Sequence, residues 1–137
     1  MKKRTAIPLM IAAALATTAV ATGPTMAAAP TTAAGVIVTY RHPNNSTFKA
    51  ILTDSTSIAK ARAQLAGTEP APSHPSGTIN YNGANENTGW SWHLDNTRQR
   101  DSDIEACDGT PQDVENHAIT VSTYCPWDAV VIAIQNN

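Results

Sequence analysis

The sequence predicts an α+β fold: one small domain with an antiparallel or mixed sheet, two short helices and one disulfide. Three observations predict it, namely short β-branched runs separated by turn residues, two helix-start patterns, and a single pair of cysteines. A chain of 137 residues is typical of one domain. A domain this small favours a modest core over a large enclosed cavity.

The N-terminus has the pattern of a secretory signal. Residues 1–4 are basic, residues 7–20 are apolar and rich in alanine, and small residues precede a cleavage site after Ala27. We therefore expect a signal peptide at 1–27, a flexible Pro/Thr/Ala tail at 28–35 and one secreted domain at 36–137. No later apolar run approaches the length of about 18 residues that a membrane span needs.

The charge of the secreted part argues against two classes of partner. Three of the nine Lys and Arg residues lie in the signal, which leaves six against eleven Asp and Glu, a net charge near −5. Nucleic acids and anionic membranes both require a basic patch. We therefore expect neither as a partner.

Cys107 and Cys125 are the two cysteines, and both lie in the part expected outside the cell. In an oxidising compartment such a pair predicts a disulfide. Two alternatives are a Cys125 nucleophile with His93 or His117 as its base, and a metal site that combines both cysteines with histidines. Neither alternative shows the close spacing that makes such motifs specific.

The first half of the domain has the pattern of a hairpin followed by a helix. Residues 36–40 and 48–53 are strand-like and flank a turn, so we expect them to pair antiparallel. Asp54 is suited to cap a helix, and Gly67 to end it. Residues 68–77 contain three prolines and predict a loop.

The second half alternates short strands with one more helix. Thr110 and Pro111 have the pattern of a helix start, and that helix should reach about residue 118. The predicted strands are 78–81, 90–94, 104–107 and a buried strand at 129–134.

A strand at 90–94 would divide its side chains between two faces. One face would carry Trp90 and Trp92, which we expect in the core together with Trp127, since aromatic residues are few. The other would carry the candidate functional face, Ser91, His93 and Asp95, which we expect as polar surface.

The polar loop at 81–89 is the candidate binding loop. It is rich in asparagine and glycine, and the residues singled out are Asn82, Gly83, Asn85 and Asn87. Such a loop can be presented to a partner protein.

No motif assembles into a catalytic, cofactor or metal site. There is no Gly-x-Ser-x-Gly elbow, and the acidic residues Asp101, Asp103 and Glu105 lack the spacing of an EF-hand. With Arg98 and Arg100 beside them, they predict a mixed-charge surface. We therefore predict no catalytic residues, no metal and no cofactor.

Several segments together resemble a known family. They include Gly-Trp-Ser-Trp-His-Leu-Asp at 89–95, Ile-Glu-Ala-Cys-Asp at 104–108 and Cys-Pro-Trp at 125–127, of which the first and the last are the most specific. They are similar to small secreted proteins of bacteria and slime moulds, whose members are called cAMP-inducible or calmodulin-binding. The similarity covers about residues 48–134 and implies a small secreted domain without an assigned activity. The predicted first helix carries only Lys60 and Arg62, fewer cations than a calmodulin-target helix has.

These observations favour a secreted, monomeric, non-catalytic module that binds an extracellular protein, with peptidase inhibition as one concrete version. Two alternatives remain. One is a small secreted hydrolase that uses His93 with Asp95 or Cys125. The other is a glycan-binding module that uses Trp90 and Trp92 for stacking.

Overall fold

The computed structural model describes Gly23 and residues 34–137. Apart from Gly23, the predicted signal peptide lies outside the described residues, as does the predicted tail up to residue 33. Both stay predictions. None of the helices in the described part of the chain is long and apolar enough to span a membrane.

Two small antiparallel sheets make up most of the domain. One has the strand order β2-β1-β6 and the other β4-β3-β5. In chain order the elements are β1 (Val36–Arg41), β2 (Thr47–Leu52), α1 (Ser55–Ala66), β3 (His74–Asn80), β4 (His93–Arg100), a 3-10 turn (Glu105–Cys107), α2 (Pro111–Glu115), β5 (Thr123–Tyr124) and β6 (Val130–Asn136).

The predicted α+β fold with one sheet and two helices is therefore wrong. The protein is mostly β, with two three-stranded antiparallel sheets, the twelve-residue helix α1 and only short helical turns elsewhere in the described chain. The second predicted helix begins at Pro111 but ends at Glu115, before residue 118. It stops there because His117 has a positive φ of 56°, which a continuing α-helix does not allow.

Local signals place the first three elements correctly. β1 pairs antiparallel with β2, and their buried side chains alternate with more exposed ones. The Asp54 carboxylate caps α1 by accepting the Ser57 N–H at 2.8 Å, and Gly67 ends the helix with a φ of 71°.

β3 lies where part of a proline-rich loop was predicted. It begins at His74 and includes Pro75. Proline has no N–H to donate to a neighbouring strand. Pro75 is tolerated because β5 pairs only with Gly77 and Thr78 and therefore requires no hydrogen bond from Pro75. The pairing of β3 with β4 is irregular between Ser76 and Thr78, which marks a β-bulge at Gly77. A Cβ on Gly77 would lie only 2.8 Å from Thr97 Oγ1, so any other residue would require the neighbouring atoms to move.

The strand predicted at 90–94 begins only at His93 and continues to Arg100. A turn closed by Trp90 N–H to the Asn87 carbonyl (3.3 Å) holds the preceding residues out of the sheet. The polar segment of β4 turns one face inward. There Gln99 accepts from the Tyr40 hydroxyl at 2.9 Å and donates to Ser73 Oγ at 3.1 Å. Buried polar groups paired in this way do not destabilise the core.

Two further strand predictions are corrected. The chain at 104–107 forms a 3-10 turn, with Asp108 N–H bonded to the Glu105 carbonyl at 3.0 Å. The last strand, β6, is an edge strand whose faces alternate: Val131 is buried, whereas Val130 and Ile132 are exposed. An edge strand covered on one face shows this alternation, and a strand buried on both faces does not.

The core lies between the sheets and is dominated by aromatic rings. Phe48 of β2 packs against Tyr40, Tyr124 and Trp92, with ring centroids 5.2, 5.5 and 6.0 Å apart. Because these rings come from both sheets and from the chain before β4, they join the two sheets.

The predicted disulfide is confirmed: Cys107 and Cys125 are bonded, and both are buried. It joins the 3-10 turn to the end of β5. The Cys125 N–H also donates to the Cys107 carbonyl at 2.8 Å.

Replacing both cysteines by serine should lower the free energy of unfolding by about 3 kcal/mol, because the bond closes a loop of 18 residues. Urea unfolding of the oxidised protein and of the double variant, followed by tryptophan fluorescence, measures this. The wild-type protein with its disulfide reduced should unfold at the same urea concentration as the double variant. Equal midpoints for all three samples would contradict the prediction.

Acid should destabilise the fold, because two capping carboxylates have lowered pKa values. Burial raises the pKa of Asp54, but hydrogen bonds from Ser57 and the charge of Arg98 together lower it by more. Hydrogen bonds from the Thr110 N–H and hydroxyl lower the pKa of Asp113. Such groups stabilise the fold above their ordinary pKa of 3.8, and this stability is lost as the pH falls through the folded-state value.

Urea midpoints should therefore fall steadily below about pH 4. A smaller decrease should begin below about pH 6.5, because burial lowers the pKa of His74 in the folded state. The variants Asp54→Asn and Asp113→Asn should each show a shallower fall than the wild type. A wild-type midpoint at about pH 3 equal to that at about pH 6 would refute this account.

Candidate functional site

The loop between β3 and β4, residues 81–92, contains the predicted binding residues and is here called the β3–β4 loop. Most of its surface is exposed to solvent, including Tyr81, Asn82, Gly83, Thr88 and Gly89. Its backbone uses left-handed conformations at Gly83, Asn85 and Gly89. Glycine and asparagine adopt these with little strain.

Asn87 is the one predicted loop residue that is fully buried, at 0% exposure. Its Oδ1 accepts the Lys49 N–H at 2.8 Å, and its Nδ2 donates to the Trp92 carbonyl at 2.9 Å. The side chain therefore ties the middle of the loop to β2 and to the loop's own end.

His93 provides a second anchor. Its Nδ1 lies 2.6 Å from the Gly83 carbonyl oxygen, and its Nε2 lies 3.3 Å from Asp95 Oδ1. Asp95 in turn accepts from Asn80 Nδ2 at 2.8 Å. Both ring nitrogens thus face acceptors, and the ring is buried. In this arrangement His93 positions the loop.

The predicted face of Ser91, His93 and Asp95 is assembled only in part. His93 and Asp95 are paired, whereas Ser91 lies in the exposed loop, and its N–H donates to Glu115 Oε2 at 3.0 Å. The face was derived from strand alternation that starts at Trp90, but the strand starts at His93. The Cys125 sulfur considered for a hydrolase is bonded to Cys107.

A third anchor fixes the start of the loop. The Tyr81 ring stacks on His117 with centroids 4.1 Å apart, and its hydroxyl donates to the Val114 carbonyl at 3.3 Å. Tyr81 is nevertheless 40% exposed. It therefore presents a fixed aromatic surface at the base of the loop.

The three tryptophans have three different environments. Trp92 is fully buried in the core, and Trp90 packs against it while donating from Nε1 to the Thr47 carbonyl at 2.8 Å. Trp127 is 41% exposed, so its predicted place in the core is corrected. Of the two tryptophans in the glycan hypothesis, Trp92 has no exposed face for a sugar.

Sequence reasoning did not single out His74. This residue lies at the start of β3, is only 5% exposed, and stacks on Trp127 with centroids 6.2 Å apart. Asp103 lies beside it, and with Cys125 the two form the metal-ligand group found among the described residues, all ligand atoms within 4.8 Å. The Cys125 sulfur is in the disulfide, which leaves two ligands, fewer than a zinc site needs.

The other predicted acidic residues disperse. Asp101 forms an ion pair with Lys60 at 2.7 Å, and Glu105 is exposed in the 3-10 turn. Asp103 lies 3.7 Å from Arg100 Nε, so these acidic residues stand among cations, as expected of a mixed-charge surface.

Comparison with known proteins identifies the family. A family model described as the BP-74 N-terminal domain matches residues 33–137, most of the chain. The chain therefore belongs to that family. No curated protein and no solved structure matches it.

Replacing Asn87 by alanine should destabilise the domain by about 2 kcal/mol, because it leaves the Lys49 N–H and the Trp92 carbonyl without their partner. Amide hydrogen exchange should also speed up across the β3–β4 loop. Asn82→Ala is the matched control, since Asn82 is exposed. If the two variants unfold at the same urea concentration, Asn87 is not an anchor.

Proposed function

We propose that this member of the BP-74 N-terminal domain family is a secreted, non-catalytic module that binds an extracellular protein through its β3–β4 loop. One observation carries the proposal: the loop surface is exposed, while buried or stacked side chains hold it at its start, middle and end. A loop that is already ordered loses little conformational entropy on binding, so more of the contact energy appears as affinity.

The chemistry of the exposed surface supports a protein partner. Tyr81 offers a large ring that is already fixed, and tyrosine is enriched among residues that dominate binding energy. Around it the loop exposes asparagine, glycine and threonine, which supply adaptable hydrogen bonds. Glu86 is the one charged residue in the loop sequence, so steering by charge contributes little.

Secretion is part of the proposal. It is supported by the signal-like pattern at 1–27 and by the disulfide, which persists in oxidising compartments. Membership of the slime-mould cAMP-inducible group is likewise proposed on the segments quoted for it. We do not propose calmodulin as the partner, because α1 carries only Lys60 and Arg62 as cations.

Peptidase inhibition is the concrete version of this function. Two consecutive turns, Asn87 N–H to Ala84 carbonyl and Trp90 N–H to Asn87 carbonyl, make the loop compact. A compact loop favours covering a peptidase surface over insertion as an extended, substrate-like strand. The inhibitor hypothesis thus predicts that the protein is not cleaved within the loop.

The proposal is tested with a photoreactive amino acid at Thr88 in the full-length protein, incubated with the extracellular fraction of the producing culture. We expect one specific crosslinked protein, because Thr88 is exposed in the loop. The same probe at Thr56, exposed on α1, is the control. Tyr81→Ala should weaken binding of the purified partner about tenfold or more.

Two results would contradict the proposal: equal crosslinking from Thr56 and Thr88, or a Tyr81→Ala variant that binds as tightly as wild type. Inhibition of the captured partner's proteolytic activity would support the inhibitor version. The variant His93→Ala does not distinguish the binding hypothesis from the hydrolase hypothesis. It would disturb the loop as well as remove the imidazole, because His93 contacts the Gly83 carbonyl.

A further inference from the structure

A concave surface lies outside the β3–β4 loop and is here called the Trp127 cleft. It has a volume of about 270 Å³. The start of β3, the segment after β4 and the segment after β5 form its walls, with the lining residues Pro72, Ser73, His74, Asp101, Ser102, Asp103, Trp127 and Asp128. This volume suits one side chain or a similarly small group.

Two buried polar atoms at the cleft have no hydrogen-bond partner among the described residues: His74 Nε2 and Asp103 Oδ2. The ligand atoms of these side chains lie within 4.8 Å of each other. Burial and the charge of Arg100 lower the pKa of His74 by more than the neighbouring carboxylates raise it, which favours the neutral ring with its one acceptor nitrogen. Burial raises the pKa of Asp103, but hydrogen bonds from Ser76 and the Ile104 N–H and the charge of Arg100 lower it by more, so this carboxylate is already partly paired. A buried polar atom that has no partner, such as His74 Nε2, is unfavourable until a partner arrives.

One wall of the cleft is a fixed aromatic ring. Trp127 stacks on His74 at an interplanar angle of 30° yet stays 41% exposed. The position of Trp127 is set by the neighbouring disulfide at Cys125 and by the buried Pro126. Its backbone N–H also donates to Asp108 Oδ1 at 3.1 Å. The flat face therefore exists before any ligand binds.

The charge of the cleft is negative. Lys60 pairs with Asp101, and Arg100 Nε lies 3.7 Å from Asp103 Oδ2. Asp128 forms no ion pair within the part of the chain that is described, although Arg41 lines the adjoining surface with it. One carboxylate is therefore left for a cationic ligand.

We propose that the Trp127 cleft binds a guanidinium group, the head of an arginine side chain or of a small free guanidine. A guanidinium is planar and stacks on a tryptophan face. Its five N–H donors match neighbouring acceptors such as those of His74 and Asp103, and its charge complements Asp128. The inference does not rest on the β3–β4 loop.

Two other ligand classes fit less well. A divalent metal ion would find only His74 and Asp103 as close ligands, since the Cys125 sulfur is in the disulfide. A neutral sugar could stack on Trp127 but would cover carboxylates without neutralising them. Both classes become outcomes of the test.

The test titrates the full-length ¹⁵N-labelled protein with L-arginine amide and follows the three tryptophan indole N–H signals by NMR. We expect only the Trp127 signal to move, because Trp90 and Trp92 are held in or against the core. Calorimetry gives the affinities. Lysine amide should bind at least about fivefold more weakly, because an ammonium neither stacks as a plane nor forms the bidentate fork.

Variants locate the site. Asp103→Asn should weaken arginine amide binding about tenfold, and Asp128→Asn, which is exposed and should not disturb folding, about threefold. Glu105→Gln removes an exposed carboxylate that does not line the cleft and should leave binding unchanged. Titration with an acetylated peptide that contains an internal arginine shows whether an arginine side chain of a protein also enters the cleft.

Binding of arginine amide alone supports a free guanidine, and binding of the peptide supports a protein ligand. No shift of the Trp127 signal overturns the inference. So does equal binding of lysine amide, or an equal response to glucose or to zinc. Tyr81→Ala should not affect the binding of arginine amide, because Tyr81 does not line the cleft. A failure of the guanidinium inference can therefore be distinguished from a failure of the proposed function.

Discussion

The packing of Phe48 against Trp92 and Tyr124 holds the rest of the structure together. Phe48 comes from β2, Tyr124 from β5, and Trp92 from the residue before β4, so one cluster joins both sheets. Each sheet has only three strands, and β5 has only two residues. Sheets so small are marginal alone, because they bury too little apolar surface on one face. The cluster supplies the shared interior that neither sheet has by itself.

The same packing fixes the two surfaces that we propose for binding. Because Trp92 is drawn into the core, the end of the β3–β4 loop is pinned, and the Trp92 carbonyl is placed where Asn87 can reach it. At the other end of the chain, Cys125 and Pro126 are buried, and the next side chain, Trp127, is exposed. An exposed tryptophan on a fixed backbone is thus a consequence of how the core is filled.

Sequence reasoning succeeded where the signals are local and failed where distant residues decide. The β1–β2 hairpin, the Asp54 and Gly67 caps and the Thr110 cap depend on neighbours within a few residues, and they were predicted. The first half of β3 was missed, because Pro75 is acceptable only beside a strand as short as β5. The loop residues were identified by composition, but the burial of Asn87 and the stacking of His74 on Trp127 depend on tertiary packing that no local pattern reveals.

Hydrogen bonds connect this core to both surfaces by separate routes. Tyr40 stacks on Phe48 and donates to Gln99, which donates to Ser73 in the wall of the Trp127 cleft. The β3–β4 loop is reached instead through Trp92 and Asn87. Within the described residues these two routes share Phe48 but no hydrogen bond. A change in the core should therefore disturb both surfaces together, whereas an exposed side chain on one surface can vary without altering the other. This arrangement allows the two surfaces proposed for recognition to vary independently of each other.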